Sequence, residues 1–89
     1  MKVTVSIPTP LRRHTEGLDE FECAAGNINE LLDALSNRFP ELKQHLRDEN
    51  GKVRRFINIY VNDEDIRFLG DYKFADGDEV TLVPSIAGG

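Results

Sequence analysis

The 89-residue chain holds one cysteine and two histidines, and no apolar run approaches the length of a membrane span. One cysteine cannot close an internal disulfide, and a lone thiol fits a reducing compartment, so a cytoplasmic location is expected. A spanning helix needs about 20 consecutive apolar residues, and no signal-peptide pattern opens the sequence. Basic residues are outnumbered, with 11 Lys and Arg against 16 Asp and Glu, for a formal net charge of −5. Nucleic-acid binders present basic patches to the phosphate backbone. Arg12-Arg13-His14 and Arg54-Arg55 are too sparse for one, so neither nucleic acid nor membrane is an expected partner.

Side-chain chemistry is equally thin. His14 and His45 stand far apart, with no further ligand at metal spacing. Asp63-Glu64-Asp65 lacks the glycine and distal glutamate of a calcium loop and reads as a solvated turn. No phosphate-cradling glycine loop and no GxSxG elbow occurs. Cys23 falls on the apolar face of a strand pattern, where core packing outweighs nucleophilic catalysis. Neither a metal nor a bound cofactor is expected, and the chain is not expected to be an enzyme.

The patterning that is present describes a small α+β domain. KVTVSI alternates, with Val3, Val5 and Ile7 on one face, and Pro8 and Pro10 end that strand. TPLRRHTEG reads as a loop. DEFECAA alternates again, with Phe21, Cys23 and Ala25 together, so the two strands form an antiparallel hairpin. Asn27 stands three residues before Glu30, the spacing of a capping box. Ile28, Leu31, Leu32, Leu35 and Phe39 then recur at helical spacing until Pro40 stops the helix. Leu42 and Leu46 mark a further turn. RFINIYVN reads as a central strand, IRFL as a short one, and Glu79–Val83 as the last, after a turn at Asp76-Gly77-Asp78. A lone helix with one apolar stripe must bury it against a sheet. The expected fold is a ubiquitin-like β-grasp, a mixed sheet of about five strands packed on one main helix. The crossover rule places the strand after the helix parallel to the first, and the last strand falls near the sheet centre. Residues 1–84 are read as the globular domain and 85–89 as a flexible C-terminal tail.

That tail, Pro84-Ser85-Ile86-Ala87-Gly88-Gly89, ends on two residues without side chains. The α-carboxylate at Gly89 is ionised at neutral pH and becomes electrophilic only when one oxygen is converted to a leaving group. Glycine at both positions lets the end enter a narrow channel. Fixing six flexible residues costs about 6–12 kcal/mol, so a partner must also grip the folded body, and Pro84 trims that cost by restricting the tail's root. Candidate grips are the sheet face around Phe56, Tyr60 and Phe68, with core packing the competing reading, and Arg12 and Arg13, with a solvated loop the competing reading.

DGDEVTLVPSIAGG resembles the closing segment of the MoaD/ThiS ubiquitin-like sulfur carriers, and VTVSIPTPLRRHT with RFINIYVNDEDIRFL resembles the CysO-type branch that serves cysteine biosynthesis. The resemblance implies that an E1-like adenylyl/sulfurtransferase of the MoeB/ThiF type uses ATP to adenylate Gly89, and that a sulfur donor then leaves a C-terminal thiocarboxylate. It implies a pyridoxal phosphate (PLP) enzyme like cysteine synthase as sulfur acceptor and a zinc peptidase of the JAMM type for release. ATP, PLP and zinc would all belong to those partners. Gly89 would carry the sulfur, Gly88 give clearance, and Pro84, Ser85, Ile86 and Ala87 thread the channel. Sulfur transfer to molybdopterin, thiamine or tRNA, conjugation to proteins through Gly89, and an inert β-grasp binding module are the alternatives.

Overall fold

The structure, a computed structural model, describes residues 1–84. The expected tail segment, 85–89, lies outside the described residues. The elements are β1 (Lys2–Ser6), β2 (Glu20–Ala24), α1 (Ile28–Arg38), α2 (Lys43–Leu46), β3 (Ile57–Val61), β4 (Glu64–Asp65) and β5 (Glu79–Pro84). The sheet order is β2-β1-β5-β3-β4, so the last strand fills the centre. β1 pairs antiparallel with β2 and parallel with β5, and β5 pairs antiparallel with β3. This is the ubiquitin-like β-grasp.

Two sequence expectations need correction. The strand after the helix is not parallel to β1: β3 runs antiparallel to β5, and it is β5 that lies parallel to β1. The crossover from β1 to its parallel neighbour spans everything between, not the helix alone. IRFL is not a strand either. The short strand is Glu64–Asp65, and Ile66–Phe68 forms a 3-10 turn capped by the Asp65 carboxylate. The TPLRRHTEG loop contains a 3-10 turn over Thr9–His14.

The helix forms where its capping residues allow. The Asn27 side chain accepts a hydrogen bond from the N–H of Glu30 at 2.9 Å. Glu30 reaches one residue beyond the usual box and accepts from the N–H of Gly26 at 2.7 Å. A Cβ at Gly26 would meet that carboxylate oxygen at 3.1 Å, so the position suits glycine. Leu31, Leu32 and Leu35 bury the helix stripe, with Phe39 as the C-cap. They pack on Val3, Val5, Ile57, Ile59, Val61, Val80 and Leu82 from the three central strands, joined by Leu42, Leu46 and Phe74. Alternate residues of those strands are only half-buried or exposed, which leaves the opposite sheet face uncovered by any helix among the described residues.

A polar clamp sets the position of β5. The carboxylate of Asp78, 7% exposed, accepts from the N–H of Ala75 (2.8 Å), the hydroxyl of Tyr72 (2.7 Å) and the side-chain amide of Asn62 (2.9 Å). Asn62 and Asp63 form the β3–β4 turn with φ of 48° and 73°, the left-handed pair a two-residue hairpin requires. The neighbouring residues of the DGD turn are equally engaged. Asp76 accepts from the N–H of Lys2 at 2.7 Å. Gly77, at φ 89°, donates to the carbonyl of Lys2 at 2.9 Å.

The backbone N–H of Ala75, with Asn62 and Tyr72, holds the Asp78 carboxyl below its ordinary pKa. Replacing Asp78 with Ala strands these donors and should destabilise the fold by about 1–3 kcal/mol in urea titrations. A depressed folded-state pKa means the contribution is complete above about pH 4 and is lost as pH falls further. The stability gap between the native chain and Asp78→Ala should therefore narrow in acid.

Candidate functional site

β5 carries the chain from the middle of the sheet to its last described residue. Pro84 stands opposite Ile57. The N–H of Asn62 donates to the carbonyl of Glu79 at 2.8 Å, and alternation along the ladder then turns Glu79, Thr81 and Val83 towards β3 and Val80, Leu82 and Pro84 towards β1. The β1 register ends at Ser6 opposite Thr81. Pro84 therefore lies beyond any β1 partner, where its missing amide breaks no ladder bond. A proline here ends the strand at the body's rim without weakening it.

The aromatic residues singled out from sequence lie outside the core. Tyr60 is half-buried on the uncovered face of β3, opposite Thr81 on β5 and Asp65 on β4. Phe56 immediately precedes β3 and is 48% exposed, and Phe68, at the end of the 3-10 turn after β4, is 84% exposed. Val83, 39% exposed, was missed as a surface residue. Its signal was available in the strand's own alternation: Val80 and Leu82 point inward, so Thr81 and Val83 point outward. Register puts Val83 opposite Asn58, between Phe56 and Tyr60 in the β3 sequence, and one residue before Pro84. The tail's root is thus flanked by an exposed apolar strip. Asp65, beside Tyr60, is held by Arg67 at 2.6 Å, and that hydrogen-bonded guanidinium keeps the carboxyl below its ordinary pKa.

Arg12 is half-buried, and its Nε donates to the carbonyl of Ile7 at 3.0 Å, so this side chain stabilises its own loop. Arg13 is the exposed member of the pair. Cys23 is half-buried against the core on edge strand β2, and burial raises its thiol pKa. It packs as a small hydrophobe.

The two histidines, remote in sequence, meet in the fold. Their rings stack with centroids 4.4 Å apart at 25°, joining the Thr9–His14 turn to α2. Among the described residues no group of three or more His, Cys, Asp or Glu could hold a metal ion. No described helix is long and apolar enough to cross a membrane.

A helix held in a five-stranded mixed sheet, with the final strand delivered to the rim from its centre, defines a ubiquitin-like β-grasp protein. The chain belongs to the ThiS family, whose profile matches residues 5–89. It is 44% identical over 93 residues to the sulfur carrier protein CysO of Mycobacterium tuberculosis, an alignment covering 100% of both chains. Its fold superposes on a chain of the BexX/CysO complex of Amycolatopsis orientalis with a TM-score of 0.88 and 46% identity, covering 98% of this chain and 99% of that one. Small archaeal modifier protein SAMP1 of Haloferax volcanii is similar at 25% identity and a TM-score of 0.84, with 100% of both chains covered. The chain is a small sulfur carrier of the CysO type rather than a catalyst.

Burial, then the neighbouring His14, Arg13 and Arg54, lowers the pKa of His45. A histidine kept neutral on folding gives a contribution that is complete above its unfolded pKa of about 6.5 and declines as pH falls below it. His45→Gln should therefore lose less stability than the native chain between neutral and mildly acidic pH, as read from melting temperatures.

Proposed function

We propose that the chain delivers sulfur for cysteine biosynthesis through a thiocarboxylate at Gly89. The observation that carries this reading is the end-to-end 44% identity with a sulfur carrier protein CysO. In the proposed sequence, an E1-like enzyme uses ATP to convert the Gly89 carboxylate to an acyl-adenylate, with loss of pyrophosphate. A sulfide-level donor displaces AMP and leaves the thiocarboxylate. That sulfur attacks an aminoacrylate held by a cysteine-synthase-like PLP enzyme. Acyl migration from sulfur to nitrogen leaves cysteine on Gly89, and a zinc peptidase of the JAMM type releases it. ATP, PLP and zinc are assigned to the partners, and the reducing cytoplasm is the compartment that suits a thiocarboxylate and a free Cys23.

Residue roles follow from the chemistry. Gly88 and Gly89 leave space around the reacting carbonyl. Ser85, Ile86 and Ala87 thread the enzyme's channel. The strip of Phe56, Tyr60, Val83 and Phe68 seats the body beside it, since exposed apolar residues grouped at a functional rim mark an interface. A second reading, conjugation of Gly89 to amines of other proteins, is favoured by the likeness to an archaeal modifier protein. Both begin from the same adenylate.

Intact mass spectrometry after incubation with an activating enzyme, ATP and sulfide separates the two. One sulfur in place of one oxygen supports the carrier, and adducts on other proteins support the modifier. An unchanged mass with an activating enzyme proven on its own carrier excludes both. Deleting Gly89 should abolish activation while leaving the melting temperature unchanged.

Tyr60→Asp should leave the fold intact, because the side chain stands on the uncovered face. It should raise the KM of the activating enzyme for this chain by roughly tenfold, the loss expected of a seated aromatic anchor. An unchanged KM would remove the strip from the docking surface.

A further inference from the structure

Strand β3 is paired unevenly. On one side it runs against β5 from Ile57 to Val61, but on the other β4 covers only Tyr60 and Val61. The chain then turns away, as Asp65 accepts from the N–H of Arg67 at 2.9 Å and opens the 3-10 turn. Register identifies the backbone groups left behind. The hydrogen-bonded pair Asn62–Glu79 implies that Tyr60 and Asn58 face β5, whereas Ile59 and Ile57 face the other edge. The N–H of Ile57 is used by the carbonyl of Arg54 at 3.2 Å. Pairing of Tyr60 with Asp65 places the N–H of Ile66 on the C=O of Ile59, so the N–H of Ile59 and the C=O of Ile57 are the groups that point into the gap that β4 leaves.

That gap is a groove of about 330 Å³ with Ile57, Ile59 and Ile66 in its lining and Arg54, Arg55 and Arg67 around them. Its single carboxylate, Asp65, is bound by Arg67. Arg54 donates through Nε to the carbonyl of Gln44 at 3.1 Å and lies near Asp48, and neither Arg54 nor Arg55 forms an ion pair among the described residues. A chain of net charge −5 thus keeps a cationic groove. It lies across β3 from β5, so a strand seated there would run two strand spacings, about 10 Å, from β5 and Pro84.

An open strand edge offers main-chain hydrogen bonds to an extended peptide, and the flanking side chains select its sequence. Apolar lining with arginines around it selects alternating apolar and acidic residues. We propose that the Ile57–Ile59 edge of β3 docks an extended acidic segment of a partner protein, which adds to the sheet as a short strand with its carboxylates on Arg54 and Arg55. The proposal rests on the carrier reading in one respect, that the partner is a protein that receives the Gly89 end.

The test titrates a blocked synthetic peptide of alternating Val and Glu into the isotopically labelled full chain and follows amide chemical shifts. Expected are shifts concentrated at Arg55, Ile57 and Ile59, slowed solvent exchange of the Ile59 amide, and weaker binding as salt rises. Arg54→Glu with Arg55→Glu, its melting temperature checked, should weaken binding by roughly tenfold or more. A Val–Lys peptide should leave the spectrum unchanged. Absent shifts, or shifts at the β2 edge instead, would overturn the proposal. Concentration-dependent self-association that protects the Ile59 amide would give the edge to a second copy of the chain and also overturn it. Binding is read directly, so its outcome is independent of whether Gly89 acquires sulfur.

Discussion

One buried carboxylate determines where β5 leaves the sheet at Pro84. Asp78 lies immediately before β5, and the three donors it accepts come from Tyr72, Ala75 and the β3–β4 turn. It therefore ties the loop that leads into β5 to the distant β3–β4 turn at the point where the last described strand enters the sheet. A buried charge costs several kcal/mol unless its hydrogen bonds are made. The clamp is therefore close to all-or-none, and the register of β5 is held with it. The backbone carbonyl of Asp78 adds a bond from the N–H of Thr4 at 3.1 Å, which couples β1 to the same point.

From that anchor the strand has only one course. Val80 and Leu82 are fully or almost fully buried beneath the helix, while Thr81 and Val83 look outward. A one-residue slip would exchange those faces. The exit at Pro84 and the apolar strip beside it are consequences of the register. For the proposed transfer through Gly89, a central strand clamped at its start supplies a rigid reference. Cys23, the lone thiol of the chain, serves packing in the folded body.

Much of this was legible in the residues. Helix α1 was read to within a residue of its ends because Asn27, Glu30 and Pro40 are local signals with local causes. The alternation of Val3 and Val5 and of Val80 and Leu82 marked buried faces correctly. The misreadings involve what lies outside a window of a few residues. Parallel and antiparallel partners cannot be read from one strand's pattern, so β5 rather than β3 proved to be the strand parallel to β1. IRFL is the local exception: its composition is strand-like, yet the adjacent Asp65 accepts from the N–H of Arg67 and opens a turn there. His14 and His45 seemed unrelated because only the fold brings them within 4.4 Å. The DGD turn was recognised as a family feature before its cause was visible, which is that each of its three residues makes a separate long-range bond.

The placement of β5 also bears on how the molecule is made. Translation produces β1, β2 and the helix first, but β1 and β3 are held apart by a gap that only residues 79–84 can fill. Until those residues leave the ribosome, the nascent chain has a hairpin and a helix but no continuous sheet, and its apolar faces stay in water. Folding is deferred until β5 has been made. Any product cut short before β5 would remain unfolded and open to proteases, so the cell's degradation machinery would remove bodies that lack the central strand.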